Sequence, residues 1–236
     1  MKKTFLIALA ATALAAPAYA DHHGMSKAEH DKMHKEHSER LAKILADPAR
    51  GADAKRDQYR HPAETFEFFR LHPDHVIGEY APGGEWVSRI LGRYVNEKGK
   101  YTGLYFGTKS HFSDQQKAGI AANIVKFPAD VAAVSGRPAT DFNAFSLSEV
   151  PEGAKGSFDR IIVMRMLHNM MNWNIADTEI KAMRDLLKDD GLLGIEQHRA
   201  KADAPFSYTN GTKGYMREAD IIKFMEVNGF DMVAKS

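Results

Sequence analysis

Val76-Ile77-Gly78-Glu79-Tyr80-Ala81-Pro82-Gly83-Gly84-Glu85-Trp86 reads as a strand, an acidic residue at its carboxyl end, a glycine-containing turn and the start of a helix. Such a junction suits a nucleoside ligand at the open edge of an α/β sheet. Glycines let the backbone approach closely, and a helix amino terminus favours an anionic group. A glycine-rich turn alone also fits a tight strand-to-helix connection. The flanking sequence therefore decides.

Outward from this junction the chain alternates. Strand-like stretches lie at 75–80, 100–106, 143–147, 158–164, 192–197 and 230–234, and most are separated by helix-like stretches at 85–94, 114–126, 176–188 and 217–228. The alternation predicts an α/β fold with a mostly parallel sheet flanked by helices. Residues 63–69 read as a short helix, and Asp189-Asp190-Gly191 and Asn228-Gly229 as helix stops. The stretch 127–142 carries no clear period.

Five separated blocks, in order, resemble the class I S-adenosylmethionine-dependent methyltransferases, and in particular an exported bacterial branch of predicted methyltransferases. They are Tyr59-Arg60-His61-Pro62-Ala63-Glu64-Thr65, the turn from Glu79 to Trp86, 158–169, 187–200 and 214–230. The resemblance implies a Rossmann-like sheet that binds S-adenosylmethionine over the carboxyl ends of its first two family strands. Glu79, Tyr80, Ala81, Pro82, Gly83 and Gly84 would line the cofactor. It also implies a final antiparallel strand between the fifth and sixth. Only Lys235 and Ser236 follow the sixth stretch, so either the sequence is truncated or the sheet lacks that strand.

Arg165, His168 and Asn169 would then stand at the mouth of the fourth family strand, with His198 and Arg199 near the fifth. A neutral imidazole titrates near neutral pH, which makes His168 the first candidate for general base and His198 the second. Arg165 or Arg199 could hold an anionic substrate group bidentately. The expected partner is a small-molecule methyl acceptor. Ala81 and Glu85 stand where the family pattern has glycines, which keeps open a non-catalytic exported binding protein on the same scaffold.

The chain begins with Lys2 and Lys3, an apolar run over 5–16 and the small-x-small triplet Ala18-Tyr19-Ala20, the pattern of a secretory signal peptide cut after Ala20. The expected location is periplasmic or secreted. The run is shorter than the roughly 20 residues needed to cross a bilayer, so no stable membrane insertion is expected. The predicted organisation is a signal peptide over 1–20, a His-rich helical leader over 21–57 and a Rossmann-like domain over 58–236.

With no cysteine among 236 residues, stability must come from an apolar core. Removing the first twenty residues removes Lys2 and Lys3 and no acid, taking the formal charge from +1 to −1. Nothing in that balance points to nucleic acid. Ser26 and Glu29 have capping-box spacing and predict a helix over 26–46. On it His30, His34 and His37 share a face that could bind a transition metal or be a solvated surface. No carboxylate or cysteine completes a defined site, and no metal site is assigned.

Overall fold

The computed structural model describes residues 2–9, 26–83, 86–107 and 112–236. In chain order the elements are β1 (Lys3–Leu9), α1 (Lys27–Leu45), α2 (Asp57–Arg60), α3 (Pro62–Phe68), β2 (Val76–Tyr80), α4 (Trp86–Tyr94), β3 (Lys100–Tyr105), α5 (Asp114–Ser135), β4 (Phe142–Ser146), β5 (Phe158–Met164), α6 (Leu167–Asn172), α7 (Ala176–Leu186), β6 (Leu187–Arg199), α8 (Phe206–Thr209), β7 (Tyr215–Met216), α9 (Glu218–Val227) and β8 (Phe230–Lys235).

The strand order is β4-β3-β2-β5-β6-β1-β8, with the short β7 pairing β6 beyond this path. Every pairing among the described residues is parallel. The connections β2-α4-β3-α5-β4 step one way from the centre, and β5-α7-β6 steps the other. Right-handed crossovers therefore place α4 and α5 on one face and α7 on the opposite face. Strand order reverses between β2 and β5, and that reversal opens a crevice beyond their carboxyl ends.

Covering both faces requires strands that are apolar on both sides. Ile77, Tyr101, Leu104, Ile161, Val163, Leu193 and Ile195 are fully buried. Gly194 permits a helix-to-sheet approach that no side chain would, because a Cβ there would lie 2.8 Å from the Phe69 ring. Phe127 of α5 packs edge-on against Tyr101 and Tyr105 of β3.

Three local readings change. The helix predicted over 114–126 runs on to Ser135 and contains Pro128, because Phe127 and Val131 bury against the sheet and outweigh the lost N–H. Asp189-Asp190-Gly191 is not a helix stop. The helix ends at Leu186, and Leu187 is already extended (φ −67°, ψ 142°) and paired with Phe158. The N-terminal stretch Lys3–Leu9, part of the signal-peptide pattern, forms a parallel strand between β6 and β8, the position expected of an antiparallel last strand. The cleavage triplet 18–20 lies outside the described residues.

At the other end of the leader, α1 carries the predicted capping box. Glu29 N–H donates to Ser26 Oγ at 3.3 Å, and Ser26 N–H donates to Glu29 Oε2 at 2.8 Å. Arg40 anchors the helix by donating to the Tyr94 carbonyl at 2.6 Å and to the Arg93 carbonyl at 2.9 Å.

Candidate active site

The junction that decides the fold also shapes the crevice. Ala81, directly after β2, adopts φ +52°, in the left-handed region where glycine is favoured, and its N–H donates to the Leu104 carbonyl at 2.7 Å. An alanine held there costs roughly 1–2 kcal/mol. Arg165, directly after β5, adopts φ +55°. The two strained residues end the two strands that flank the order reversal, and sustained backbone strain concentrates where a site must be shaped.

Past Ala81 the backbone is bare. A Cβ on Gly83 would meet only the Ala81 carbonyl oxygen, at 3.5 Å. Beside Pro82 and Gly83 a cavity of about 160 Å³ opens between α4 and α5, reached by Arg89, Asn123 and Lys126. Gly84 and Glu85 lie outside the described residues.

The other predicted cofactor-side residues are turned inward. Glu79 is buried, and its carboxylate accepts from the Tyr101 hydroxyl and from Ser88 Oγ at 3.0 Å. Burial pushes its carboxyl up to about 7 against these two bonds. Tyr80 is also buried and packs edge-on against Phe106 at 5.6 Å, so only its backbone borders the turn.

Of the predicted chemical residues, Arg165 and His168 are each held by neighbouring residues of β6. Arg165 Nη1 donates to Glu196 Oε1 at 2.5 Å, and its N–H donates to the Glu196 carbonyl at 2.7 Å. His168 N–H donates to Gln197 Oε1 at 3.2 Å, and its Nδ1 lies 3.3 Å from the same oxygen. Gln197 Nε2 donates to the Gly214 carbonyl at 2.7 Å, which fixes the amide orientation. With an acceptor opposite it, Nδ1 must carry the proton and Nε2 the lone pair. Burial lowers the His168 pKa, so this imidazole is neutral near pH 7.

His198 and Arg199 are placed differently. His198 is exposed, its ring 5.6 Å from that of Tyr215, which stacks on Tyr208 at 5.5 Å. Arg199 is tied to Glu218 of α9 at 3.5 Å and donates to the Ser236 carbonyl at 2.6 Å.

Two further residues belong to this region and had no role in the sequence reading. Glu179, on α7, reaches the end of β3, where its Oε1 accepts the Gly107 N–H at 3.0 Å. It is 3% exposed, and burial pushes it up to about 7 against the Gly107 bond and the neighbouring Tyr80 hydroxyl. Its carboxylate thus stands at a strand end that has no acid of its own. Only its i+3 position after the buried Ala176 could have marked it.

The second is Arg60, from the block that opens the resemblance. Its guanidinium lies over the Trp86 ring at 4.9 Å, and burial, with Arg165 and Arg56 nearby, lowers it to about 10. A cation kept under that pressure suits an anionic ligand group. Phe106, Phe112 and Trp173 add an aromatic wall past β3, with ring centroids 5.2–5.8 Å apart.

The histidine face of α1 is divided. His34 lies 3.6 Å from Glu67, whereas His37 packs its ring 4.6 Å from that of His72, itself stacked on His75 at 4.5 Å. The His30 side chain lies outside what is described. Among the described residues no group of three His, Cys, Asp or Glu side chains is placed to hold a metal ion.

No family model matches the chain. No curated protein matches it either. Solved structures are similar in fold. A SAM dependent methyltransferase from Aquifex aeolicus superposes with a TM-score of 0.51 at 15% identity, covering 80% of this chain and 87% of that one. The CurJ carbon methyltransferase aligns at 14% identity over 85% of this chain and 60% of its own, with a TM-score of 0.48. An arsenic(III) S-adenosylmethionine methyltransferase from Chlamydomonas reinhardtii aligns at 14% identity over 66% and 52%, with a TM-score of 0.43. With the first of these structures, the strand order and its reversal at β2 and β5 show that the chain has the Rossmann-like fold of the class I methyltransferases.

Proposed function

We propose that the chain is an S-adenosylmethionine-dependent methyltransferase acting on a small-molecule acceptor. The observation that carries this reading is the content of the crevice at the order reversal. It gathers bare backbone at Gly83, a partly buried guanidinium at Arg60, a buried carboxylate at Glu179 and a neutral imidazole with a fixed tautomer at His168.

These groups fit an adenosyl sulfonium compound. Arg60 would hold its carboxylate, the Glu179 carboxylate, shared with the Tyr80 hydroxyl, would accept from its ribose hydroxyls, and the wall of Phe106, Phe112 and Trp173 would face its purine. When bound, the cofactor supplies a methyl group already activated by the positive sulfur. The protein's task is then alignment and removal of one proton. His168 Nε2 takes that proton from an acceptor hydroxyl or amine, and Gln197 holds the ring so that the lone pair stays on Nε2.

The same reading makes a direct demand on the two residues that the sequence left without a role. Equilibrium dialysis with labelled S-adenosylmethionine should give saturable binding that Arg60→Met and Glu179→Gln each weaken about tenfold, the cost of one charge-assisted hydrogen bond. Unchanged binding in both variants would remove the cofactor assignment.

A second reading, a non-catalytic binding protein on the same scaffold, is favoured by one measurement. The cavity beside Gly83 is about 160 Å³, below the roughly 300 Å³ at which ligand sites of this kind begin. On that reading a smaller ligand binds there, and the dialysis experiment gives no retention of the nucleoside.

A further inference from the structure

We propose that the gap between β6 and β8 is a docking slot for a removable strand, and that Lys3–Leu9 is its resident occupant. This goes beyond methyl transfer and does not depend on it.

The segment is a central strand by every measure of the fold. It pairs with β6 from Thr4↔Leu192 to Leu9↔Gln197 and with β8 from Lys3↔Phe230 to Ile7↔Lys235. Phe5 and Ile7 are 0% exposed and Leu6, on the alternate face, is 1% exposed. Phe5 meets Phe230 edge-on at 6.4 Å. Its ends are pinned as well: Lys3 N–H donates to the Gly229 carbonyl at 3.0 Å, and Ser236 N–H donates to the Ile7 carbonyl at 3.1 Å. Lys2 pairs with Asp231 at 3.0 Å, and Lys3 with Asp189 at 2.8 Å.

The same residues satisfy two demands that share one composition. A strand covered on both faces of a parallel sheet must be apolar at every position. The core of an export leader must be apolar too, behind a positive start. A segment drawn into a membrane cannot also stand between β6 and β8, so the two uses exclude each other, and the folded full-length chain is the form in which the leader has been kept.

Losing the strand would reach further than seven residues. Among the described residues β8 has β1 as its one strand neighbour, so removal of β1 leaves the β8 ladder unpaired and holds α9 and β8 to the body only by side-chain ties such as Arg199 to Glu218 and to the Ser236 carbonyl. Such an exposed ladder takes up another extended segment of matching chemistry. The chemistry here is a short apolar strand with a basic amino-terminal end, running parallel to β6 and facing Asp189 and Asp231.

The test uses the full-length chain with a site-specific protease sequence inserted after Ala20, cut only after folding. The expected result is that the N-terminal fragment stays with the body on gel filtration under native conditions and separates in guanidinium chloride. The body refolded without the fragment should then melt at least about 10 °C lower, the scale set by losing several kcal/mol in a chain of this size. Separation of the fragment from the native nicked chain, or an unchanged melting temperature without it, overturns the proposal. In the uncut chain, which is free of cysteine, Thr4→Cys with Asp231→Cys should be joined by a short bismaleimide and Thr4→Cys with Asn143→Cys should not. Equal linking of the two pairs, or none at the first, also overturns it.

Discussion

Ala81 shows how one methyl group sets the balance at the turn. Its left-handed backbone is what a glycine adopts without strain. Ala81→Gly should relieve roughly 1–2 kcal/mol of strain while returning about 0.4–1 kcal/mol of entropy to the unfolded chain, a net gain of up to about 1.5 kcal/mol in chemical denaturation. Glu79 makes a second demand. It holds its proton up to about pH 7 when folded, against a usual value of 4.5. The folded state therefore binds more protons than the unfolded state in that window, so stability falls as pH rises through 7. Between about pH 5 and 8 the change from this group approaches on the order of 3 kcal/mol; Glu179, also pushed up to about 7, adds a slope of the same sign, so Glu79→Gln should reduce the slope in thermal melts and leave the Glu179 part. His168→Ala should lower turnover by about 10²–10⁴ and leave nucleoside binding unchanged. Gln197 is a positioning residue. Gln197→Leu should shift the pH profile of turnover, and Gln197→Glu, whose charge favours the imidazolium, should move the basic limb of that profile to higher pH.

Among the elements, α5 departs most from its sequence signal. Pro128 lacks the N–H that would close a bond in mid-helix. The helix survives because Phe127 and Val131 are buried against β3 and α4, while Val125 on the far side is 81% exposed. Pro128→Ala should restore the bond and raise stability by about 1 kcal/mol or more in urea melts. The central strands were legible for the opposite reason. β2 and β5 are short apolar runs bounded by turns, and β5 was read to the residue. The start of β6 was hidden because Asp189 and Asp190 sit on an exposed stretch that pairs before it reaches the core. Glu179 was hidden because its acid serves a strand end 72 residues earlier in the chain, and no local pattern records a contact of that span. Arg60 lay inside a block that marked the resemblance without stating a task.

At the scale of the molecule, the mostly parallel sheet flanked by helices followed from the strand and helix alternation, whereas the order β4-β3-β2-β5-β6 and its reversal are read from the strand pairings. The place of Lys3–Leu9 in the sheet did not follow either. An apolar run behind two lysines reads as a leader, and only the sheet reveals that it also has the composition of a buried strand. The reversal at β2 and β5, the strained residues that end both strands, and the charged groups there are what support the proposal that the crevice holds an adenosyl sulfonium compound. Isothermal titration of the full-length chain with S-adenosylmethionine and with its demethylated product tests this most directly. The account predicts saturable single-site heat for both, lost in Gly83→Trp, whose side chain would fill the space beside the turn. A folded wild-type chain that gives no heat with either compound would contradict it.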